Sequence, residues 1–404
     1  MHIAVFSQYH TNPDCPATSR HYSLLRHIAS THRVTLITTR TWESQRLTEQ
    51  FPWLPAGVTM LAANVPYDNK MGPARRALSF AHYAAYALRE GLRLEKPDVI
   101  WGISTPLTAA WAAAQVARLR RVPWVFEVQD LWPSFPIAMG AVPSPFAQRR
   151  LFALEKGLYQ SAKHILPLSP DMTSYVQGLG IPAAKITTVL NGTDLDLATA
   201  ATEQAVAELR QAYDLEGKKV VLYAGTFGRA NDILTLIEAA EQLAALDASI
   251  CWVFMGLGYY EPQVREAAAR CPGIRLLTPQ PRHAVFAWFK LADVSVASFL
   301  ELPVLDANSP AKFYDSLAVG TPVVVTNQGW TRAFVQEHGV GWYVPAKQPL
   351  ALAQHLHKLI SSPEEVQAAG QRGQLAAKKY FDRASIAAIV QRTLEEAAKS
   401  TNHV

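Results

Sequence analysis

The segment most informative about the fold reads Asp306-Ala-Asn-Ser-Pro-Ala-Lys-Phe-Tyr-Asp315-Ser-Leu-Ala-Val-Gly-Thr-Pro-Val-Val-Val325. A polar loop opens a short predicted helix in which Lys312 and Asp315 lie one turn apart. Gly320-Thr-Pro322 ends that helix, and Val323-Val-Val325 begins a buried strand. A helix N-terminus gathers unpaired backbone N–H groups and a partial positive charge, which favours phosphate binding. Because Asp315 could accept hydrogen bonds from hydroxyl groups, the segment predicts a phosphate site beside a polyhydroxyl group.

The composition describes a globular protein with room for two domains. The chain has 404 residues, of which 49% are apolar and 18% charged, and its net charge of +5 is too diffuse to indicate nucleic-acid binding. Its three cysteines have neither metal-ligand spacing nor an even count, which favours a reducing compartment. The N-terminus enters a predicted strand directly, and no apolar run reaches the roughly 18 residues that span a bilayer. We therefore expect a cytoplasmic protein without a metal site.

Short apolar runs alternate with helical stretches along the chain, which predicts βαβ units and parallel sheets covered on both faces. A turn-rich segment, Ile186–Asp194, separates two sets of five predicted strands. This pattern predicts an N-terminal Rossmann-like domain over 1–192 and a C-terminal one over 193–380, with an amphipathic final helix over 381–400. The predicted strands are Ile3–Ser7, Val34–Thr38, Asp98–Ile103, Trp124–Val128, Ile165–Leu168, Val220–Ala224, Ile250–Met255, Ile274–Thr278, Val294–Ser298 and Pro322–Thr326.

A glycine loop follows the first strand of the second set, in Val220-Val-Leu-Tyr-Ala-Gly225-Thr-Phe-Gly228-Arg229. Ligands of open parallel sheets bind beyond the carboxyl ends of the strands, where Gly225 and Gly228 would let a diphosphate approach the backbone. Tight βα turns also use glycine for geometry alone, so the loop by itself leaves both interpretations open.

Two cations, Arg229 and Lys312, accompany these two motifs on the same predicted sheet. A helix dipole contributes only about 0.3–1 kcal/mol, whereas a charge-assisted hydrogen bond contributes roughly 1.5–3 kcal/mol. A departing diphosphate would therefore need both side chains as well as the helix ends. The alternative for each cation is a solvated position on the surface.

Polar residues also end a strand of the first set, in Phe126-Glu-Val-Gln-Asp130-Leu-Trp-Pro133. Asp130 could face the transferred sugar or the acceptor, or it could cap a helix or turn. In the first βα loop, Ser19 or Thr18 could cap the following helix, and Arg20 could meet an anion.

The segment from Arg75 to Arg93 combines basic, aromatic and aliphatic residues at helical spacing. Such a helix could rest on anionic lipid. Helices that pack on a parallel sheet show similar stripes, so both interpretations stay open.

These motifs together resemble the retaining nucleotide-sugar glycosyltransferases of glycosyltransferase family four. The resemblance covers nearly the whole chain and rests on the loop with Arg20, Gln129-Asp-Leu-Trp-Pro133, Asn191-Gly-Thr-Asp194, the glycine loop, and Ser309 through Gly320-Thr-Pro-Val-Val. It implies the GT-B fold, an α/β architecture in which two Rossmann-like domains face each other across a cleft and a C-terminal helix returns to the first domain.

The resemblance also implies a function in bacterial cell-surface polysaccharide assembly. The expected reaction transfers a sugar, such as an N-acetylamino sugar, from a UDP-linked donor to a glycan or polyprenyl-diphosphate-linked acceptor, with retention. Neither a cofactor nor a metal is implied, and peripheral contact with an anionic membrane is expected.

The chain departs from the family's pattern of two glutamates separated by seven residues. Ala307 takes the first position and Asp315 the second, so that Asp306 or Asn308 could replace the missing sugar contact. The predicted residues are Asp130, Arg229 and Lys312 for catalysis; Gly225, Thr226, Gly228, Thr278, Asn308, Ser309, Ala311 and Asp315 for the nucleotide-sugar; and Ser19, Arg20 and Asp306 for the sugar or acceptor.

Two other functions remain open at this point. A sugar-nucleotide 2-epimerase or hydrolase on the same fold would act without an acceptor. A non-catalytic nucleotide-binding partner of a membrane assembly would bind the nucleotide-sugar without turnover.

Overall fold

A computed structural model describes residues 1–10, 20–40, 53–67 and 71–399 of the chain. The chain forms two compact units. The first comprises Met1–Leu190, Ala307–Ser309 and the C-terminal segment that begins at Arg383. The second comprises Asn191–Asp306 and Pro310–Asp382. Each unit is built around its own six-stranded sheet, whose strand pairs are all parallel.

The sheet of the first unit has the strand order β3-β2-β1-β4-β5-β6. Its central strands are mostly apolar and fully buried, since helices cover both faces. The strands are β1 His2–Phe6, β2 Arg33–Thr39, β3 Val58–Ala63, β4 Val99–Ile103, β5 Trp124–Val128 and β6 His164–Pro167. The helices are α1 Arg20–Ile28, α2 Pro73–Arg93, α3 Leu107–Arg120, α4 Ser134–Ala138, α5 Pro145–Ser161 and α6 Pro170–Gly178.

A C-terminal helix, Arg383–Lys399, completes the first unit. It packs on α1 and on the strands β4, β5 and β6, and it buries Ile386, Val390 and Leu394. The amphipathic pattern of this segment explains the packing, because its apolar residues recur every three to four positions. The return of the last helix to the first unit, expected from the resemblance, is therefore confirmed.

The sheet of the second unit has the order β12-β11-β10-β7-β8-β9. Its strands are β7 Lys219–Ala224, β8 Ile250–Met255, β9 Ile274–Leu277, β10 Val294–Ala297, β11 Val323–Val325 and β12 Gly341–Tyr343. Its helices are α7 Leu195–Ala200, α8 Glu203–Ala212, α9 Ile233–Leu246, α10 Glu261–Arg270, α11 Arg282–Leu291, α12 Pro303–Asp306, α13 Ala311–Ala318, α14 Trp330–His338, α15 Pro349–Ile360 and α16 Pro363–Tyr380.

Both units share one topology. When the strands of each unit are counted in chain order, both sheets read 3-2-1-4-5-6, the doubly wound order of dinucleotide-binding domains. The prediction of two parallel α/β Rossmann-like domains is therefore confirmed. The sequence prediction missed two strands, β3 and β12. Both are edge strands with half-exposed residues, so their sequences lack the continuous apolar run of a central strand.

Candidate functional site

The loop after β7 brings the first glycine motif to the carboxyl edge of the second sheet. Gly225 directly follows the strand and has a φ of +148°, a conformation that residues with a Cβ rarely adopt. A Cβ at this position would lie 2.9 Å from Cε and 3.1 Å from Nζ of Lys312. The glycine thus leaves room for the lysine side chain, and the two predicted motifs meet at this point.

Lys312 holds its ammonium group in an aromatic, half-buried environment. Its Nζ lies 4.6 Å from the ring centroid of Tyr223 and 5.6 Å from that of Phe299, within cation–π range. Burial lowers the pKa of Lys312 to about 8. Among the described residues, no carboxylate forms an ion pair with this lysine. A cation placed this way is suited to an anion supplied by a ligand.

The helix that carries Lys312 adds partial positive charge at the same place. Pro310 occupies the N-cap position of α13, no side chain caps the helix, and its first turn contains no acidic residue. Ala311 and Lys312 are the first two residues of the helix, so their N–H groups lack partners within it. The predicted positions of Ala311 and Lys312 at a helix start are confirmed.

A second loop, after β8, braces the glycine loop. Phe227 N donates to Leu257 O over 2.8 Å, and Tyr260 N donates to Phe227 O over 3.0 Å. Any side chain at Gly256 would collide with the carbonyl oxygen of Gly225, and Gly258 has a φ of +154° beside the backbone of Phe227. Sequence reasoning missed this loop, although the Gly-Leu-Gly that directly follows β8 indicated a close approach of two backbones.

Arg229 lies in a 3₁₀ turn that follows the glycine loop, Arg229–Asn231. Its guanidinium carbon is 4.1 Å from the ring centroid of Tyr259, which belongs to the bracing loop. Arg229 is exposed, and it has no carboxylate partner among the described residues. Thr226 and Gly228 line the same loop, in which Thr226 O accepts a 2.9 Å hydrogen bond from the Tyr223 hydroxyl.

The prediction for Asp315 needs a correction. Asp315 is buried, and its Oδ1 accepts hydrogen bonds from Arg282 Nη2 and from Thr193 Oγ1, each over 2.7 Å. A second nitrogen of Arg282 bonds the other carboxylate oxygen. Burial alone would lower the pKa of Arg282, but the carboxylates of Asp315 and Asp194 raise it above its ordinary value. In this structure Asp315 is therefore one half of a buried ion pair rather than an open acceptor for sugar hydroxyls.

The remaining second-unit predictions fall at separate places. Thr278 directly follows β9 and is exposed, as a ligand contact would require. Asp306 is half-buried, and its Oδ1 accepts a 2.9 Å hydrogen bond from Gln328 N.

Asn308 and Ser309 belong to the first unit, because the segment Ala307–Ser309 groups with it. There Ser169 Oγ donates to Ala307 O over 2.6 Å. The structure thus places Asn308 and Ser309 in a different unit from Gly225 and Lys312.

Asp130 follows β5 in the first unit and accepts a 3.0 Å hydrogen bond from Thr105 Oγ1. Burial raises the pKa of the Asp130 carboxyl, and the hydrogen bond from Thr105 opposes that shift. Thr105 has a φ of 122°, a strained value for a threonine. Such strain is common at functional sites, so this strand end stays a candidate for the acceptor side.

Arg20 also needs a correction, because its partner is a protein carboxylate. Its Nε lies 3.1 Å from Oε1 of Glu127, and its Nη1 donates to Leu190 O over 2.7 Å. Burial by itself would raise the pKa of Glu127, but Arg20, together with hydrogen bonds from His21 and Gln129, lowers it to about 2. Arg20 therefore neutralises a buried glutamate, and the predicted role in meeting a substrate anion does not fit this arrangement.

Sequence reasoning passed over Glu127 itself. A charged residue inside the apolar strand Trp124–Val128 was the signal, since buried carboxylates require a cationic partner. Ser19 and Thr18 lie outside the described residues.

Two further observations concern metal ligands and membrane-spanning helices. In the described ranges, no group of three or more His, Cys, Asp or Glu side chains could hold a metal ion. A search of the same ranges found no helix with the length and apolarity needed to cross a membrane.

Comparisons with known proteins identify the family of the chain. A model of the glycosyl transferase 4-like domain matches residues 18–192, and a model of glycosyl transferases group 1 matches residues 206–376. A D-inositol 3-phosphate glycosyltransferase of Corynebacterium urealyticum is 25% identical over 63% of this chain and 62% of its own length. The Escherichia coli glycosyl transferase WcaI, assigned to colanic acid biosynthesis, is 24% identical over 58% of this chain and 59% of its own length. The chain thus matches less than two thirds of either relative.

Solved structures show the same fold over almost the full length. Anabaena Alr3699/HepE, crystallised with UDP and glucose, aligns with a TM-score of 0.71 at 17% identity and covers 98% of this chain and 100% of that one. A sucrose-phosphate synthase of Thermosynechococcus elongatus aligns with a TM-score of 0.74 at 17% identity and covers 99% of both chains. The chain therefore belongs to the GT-B glycosyltransferases that join a glycosyl transferase 4-like domain to a group 1 domain.

Proposed function

We propose that this glycosyltransferase takes a sugar from a UDP-linked donor and transfers it to a glycan or lipid-linked acceptor in bacterial polysaccharide assembly. The observation that carries the proposal is the half-buried ammonium of Lys312, which lies against Gly225 and has no carboxylate partner among the described residues. A diphosphate is the natural counter-ion for such a group. Binding of UDP by the structurally similar HepE and the assignment of the relative WcaI to colanic acid biosynthesis support the same conclusion.

The proposed chemistry relies on charge stabilisation. As the bond between the anomeric carbon and the diphosphate breaks, negative charge grows on the phosphate oxygens. Lys312, Arg229 and the N-terminus of α13 would stabilise that charge. The acceptor oxygen would bond to the anomeric carbon on the face that the diphosphate leaves, and its proton would pass to a phosphate oxygen. The configuration would be retained, and the protein's own cations would serve in place of a metal.

A donor screen tests this proposal. Thermal shift with UDP-, GDP- and ADP-sugars, including N-acetylamino sugars, should give a positive shift for a UDP-sugar with the wild type. Lys312→Met, which keeps the length but removes the charge, should lose the shift, and Lys312→Arg should keep part of it. Equal shifts for the wild type and Lys312→Met would refute the diphosphate site. A wild type that responds to no nucleotide-sugar would refute the proposed donor class.

The fate of the donor separates transfer from the two other functions. Incubation with the identified UDP-sugar and a panel of lipid-linked acceptors should give product only when an acceptor is present, with the same rate in EDTA. Rapid release or epimerisation of the sugar without acceptor would indicate an epimerase or hydrolase. Binding without turnover on the whole panel would indicate a non-catalytic partner.

On the acceptor side, we propose that Asp130 contacts the acceptor. Its support is the position after β5 and the hydrogen bond from the strained Thr105. Asp130→Asn should lower the transfer rate and leave UDP binding unchanged. Equal transfer rates in the wild type and Asp130→Asn would refute a role of Asp130 in the site.

We also propose peripheral contact with an anionic membrane through the first unit. The helices α2, α3 and α5 pack side by side, and they carry all the large apolar side chains of the described first unit that are exposed. Leu78 on α2 is 71% exposed and Phe146 on α5 is 65% exposed. Exposed arginines such as Arg75 and Arg93 lie on the same helices, whereas Arg76 is half-buried. Apolar side chains among cations suit the surface of an anionic bilayer.

Sedimentation with vesicles of anionic lipid tests that contact. The double variant Arg75→Glu/Arg93→Glu should pellet less than the wild type. Arg265→Glu/Arg270→Glu, which reverses the same number of exposed charges on α10 of the second unit, is the matched control. Equal pelleting of all three proteins would refute the proposed surface.

A further inference from the structure

We infer that Tyr259 is a positioning residue that holds the Arg229 guanidinium for the donor diphosphate. The inference rests on the proposed function and assigns a role to a residue outside the predicted site. Arg229 is exposed, and in the described part of the chain no carboxylate fixes its direction. A long side chain in that position would otherwise sample many rotamers, and ordering it on binding would cost conformational entropy.

The ring of Tyr259 supplies the missing constraint. The guanidinium carbon lies 4.1 Å from the ring centroid, the distance of direct stacking on the ring face. Planar guanidinium groups stack on aromatic faces and keep their edges free to donate hydrogen bonds. Stacking can therefore orient Arg229 without occupying the N–H groups that a phosphate needs.

The backbone holds Tyr259 in place over the glycine loop. Hydrogen bonds on either side of it, Phe227 N to Leu257 O and Tyr260 N to Phe227 O, tie the two loops together. Gly258, directly before Tyr259, adopts a φ of +154° in contact with the backbone of Phe227. These contacts fix the backbone that carries the ring, although Tyr259 itself is 55% exposed.

The Tyr259 side chain packs against a second aromatic ring and not against the core. Its centroid lies 5.0 Å from that of Tyr260 at an interplanar angle of 84°. Tyr259 does not belong to the apolar core of the second unit, so its side chain can change with little effect on folding. Because Tyr259 contributes little to the core and lies over the candidate site, its contact with Arg229 best explains its position.

Isothermal titration with UDP gives the energetic test, in a cycle of variants. Arg229→Ala should weaken UDP binding by about tenfold or more, the loss expected for a charge-assisted hydrogen bond. Tyr259→Leu should weaken it about two- to fivefold, the range for an exposed cation–π contact, and Tyr259→Phe should bind as the wild type does. In the Arg229→Ala background, Tyr259→Leu should cause no further loss.

A matched control comes from another cation–π pair of the same unit, Arg332 over Tyr343 at 4.3 Å. Tyr343 lies on the edge strand β12, three strands from β7 in the sheet order. Tyr343→Leu should leave UDP binding unchanged. A loss of equal size for Tyr259→Leu with and without Arg229 would overturn the inference, since the ring would then act on the ligand or the loop directly.

A readout without ligand separates this inference from the proposed function. The order parameter of the Arg229 Nε–H bond, measured by NMR in the free protein, should fall in Tyr259→Leu and stay unchanged in Tyr259→Phe. An unchanged value in Tyr259→Leu would overturn the positioning role even if UDP binds. A wild type that does not bind UDP would refute the proposed donor instead, and the order parameter would still decide whether Tyr259 restrains Arg229.

Discussion

The affinity for UDP should fall as the pH rises from 7 to 9, because Lys312 loses its charge in that range. Burial lowers the pKa of Lys312 from 10.5 to about 8 in the free protein. About 90% of the molecules therefore carry the charged lysine at pH 7, and about 10% carry it at pH 9. The terminal phosphate of UDP is already largely ionised at pH 7, since its pKa is near 6. If only the ammonium form binds well, the apparent Kd rises about tenfold over these two pH units.

The same reasoning predicts that UDP binding takes up protons. A bound diphosphate stabilises the ammonium form and raises the pKa of Lys312. At pH 8, where about half of the free molecules are neutral, binding should take up about half a proton per site. Calorimetry in two buffers with different ionisation enthalpies measures this uptake directly, because the observed enthalpy then depends on the buffer.

Two variants make the test specific. Lys312→Arg keeps a charge that does not titrate in this range, so its Kd should be flat from pH 7 to pH 9 and its proton uptake near zero. Lys312→Met should bind weakly at every pH. A wild-type Kd that is flat over this range, with an enthalpy independent of the buffer, would refute the role of Lys312 at the diphosphate.

Three further predictions concern buried carboxylates. Asp315→Asn should lower the free energy of unfolding in urea by about 3 kcal/mol, because it leaves the buried Arg282 with only the more distant Asp194. The control Asp306→Asn should have little effect. If Asp315→Asn instead has normal stability but slow transfer, the interpretation of Asp315 as a sugar contact would be favoured again. Burial raises the pKa of Glu155 from 4.5 to about 7, so its contribution to stability is complete below pH 4.5 and is lost as the pH rises through 7. The free energy of unfolding of Glu155→Gln, measured in urea, should therefore gain about 3 kcal/mol relative to that of the wild type between pH 4.5 and pH 8. A difference between the two proteins that stays constant with pH would contradict this. Despite the opposing effect of burial, Arg20 lowers the pKa of Glu127 to about 2, so the contribution of Glu127 to stability is present above pH 4.5 and is lost as the pH falls to 2. The difference in stability between the wild type and Glu127→Gln should therefore shrink from pH 5 to pH 3, and an unchanged difference would argue against the pairing of Glu127 with Arg20.

The sequence was informative where local patterns determine the structure. A strand followed by glycine, and a polar loop followed by a helix and a strand, placed Gly225 and Lys312 at the same edge of a parallel sheet. That inference needed only the rule that loops at the carboxyl ends of parallel strands share one edge. The contact between Gly225 and Lys312 follows from the topology and from the missing Cβ.

Sequence reasoning failed where the partner lies far away in the chain. Asp315 pairs with Arg282 and Thr193, which are 33 and 122 residues distant. Periodicity indicates which residues share a helix face, but it does not identify the charge that this face meets. In addition, five consecutive residues of α13, Phe313 to Leu317, are buried, so the helix has little of the open polar face that an amphipathic pattern suggests.

The partners of their cations distinguish the candidate site from the two buried ion pairs. Arg20 and Arg282 are both buried, and each is paired with an internal carboxylate, as the cost of burying a lone charge requires. Lys312 is half-buried, and among the described residues it has aromatic neighbours but no carboxylate, so no protein charge offsets its desolvation cost as carboxylates do at the two arginines. A ligand that supplies the missing negative charge would offset this cost. Lys312 therefore identifies the anion site better than the presence of a cation in a βα loop, the sequence feature that drew attention equally to Arg20.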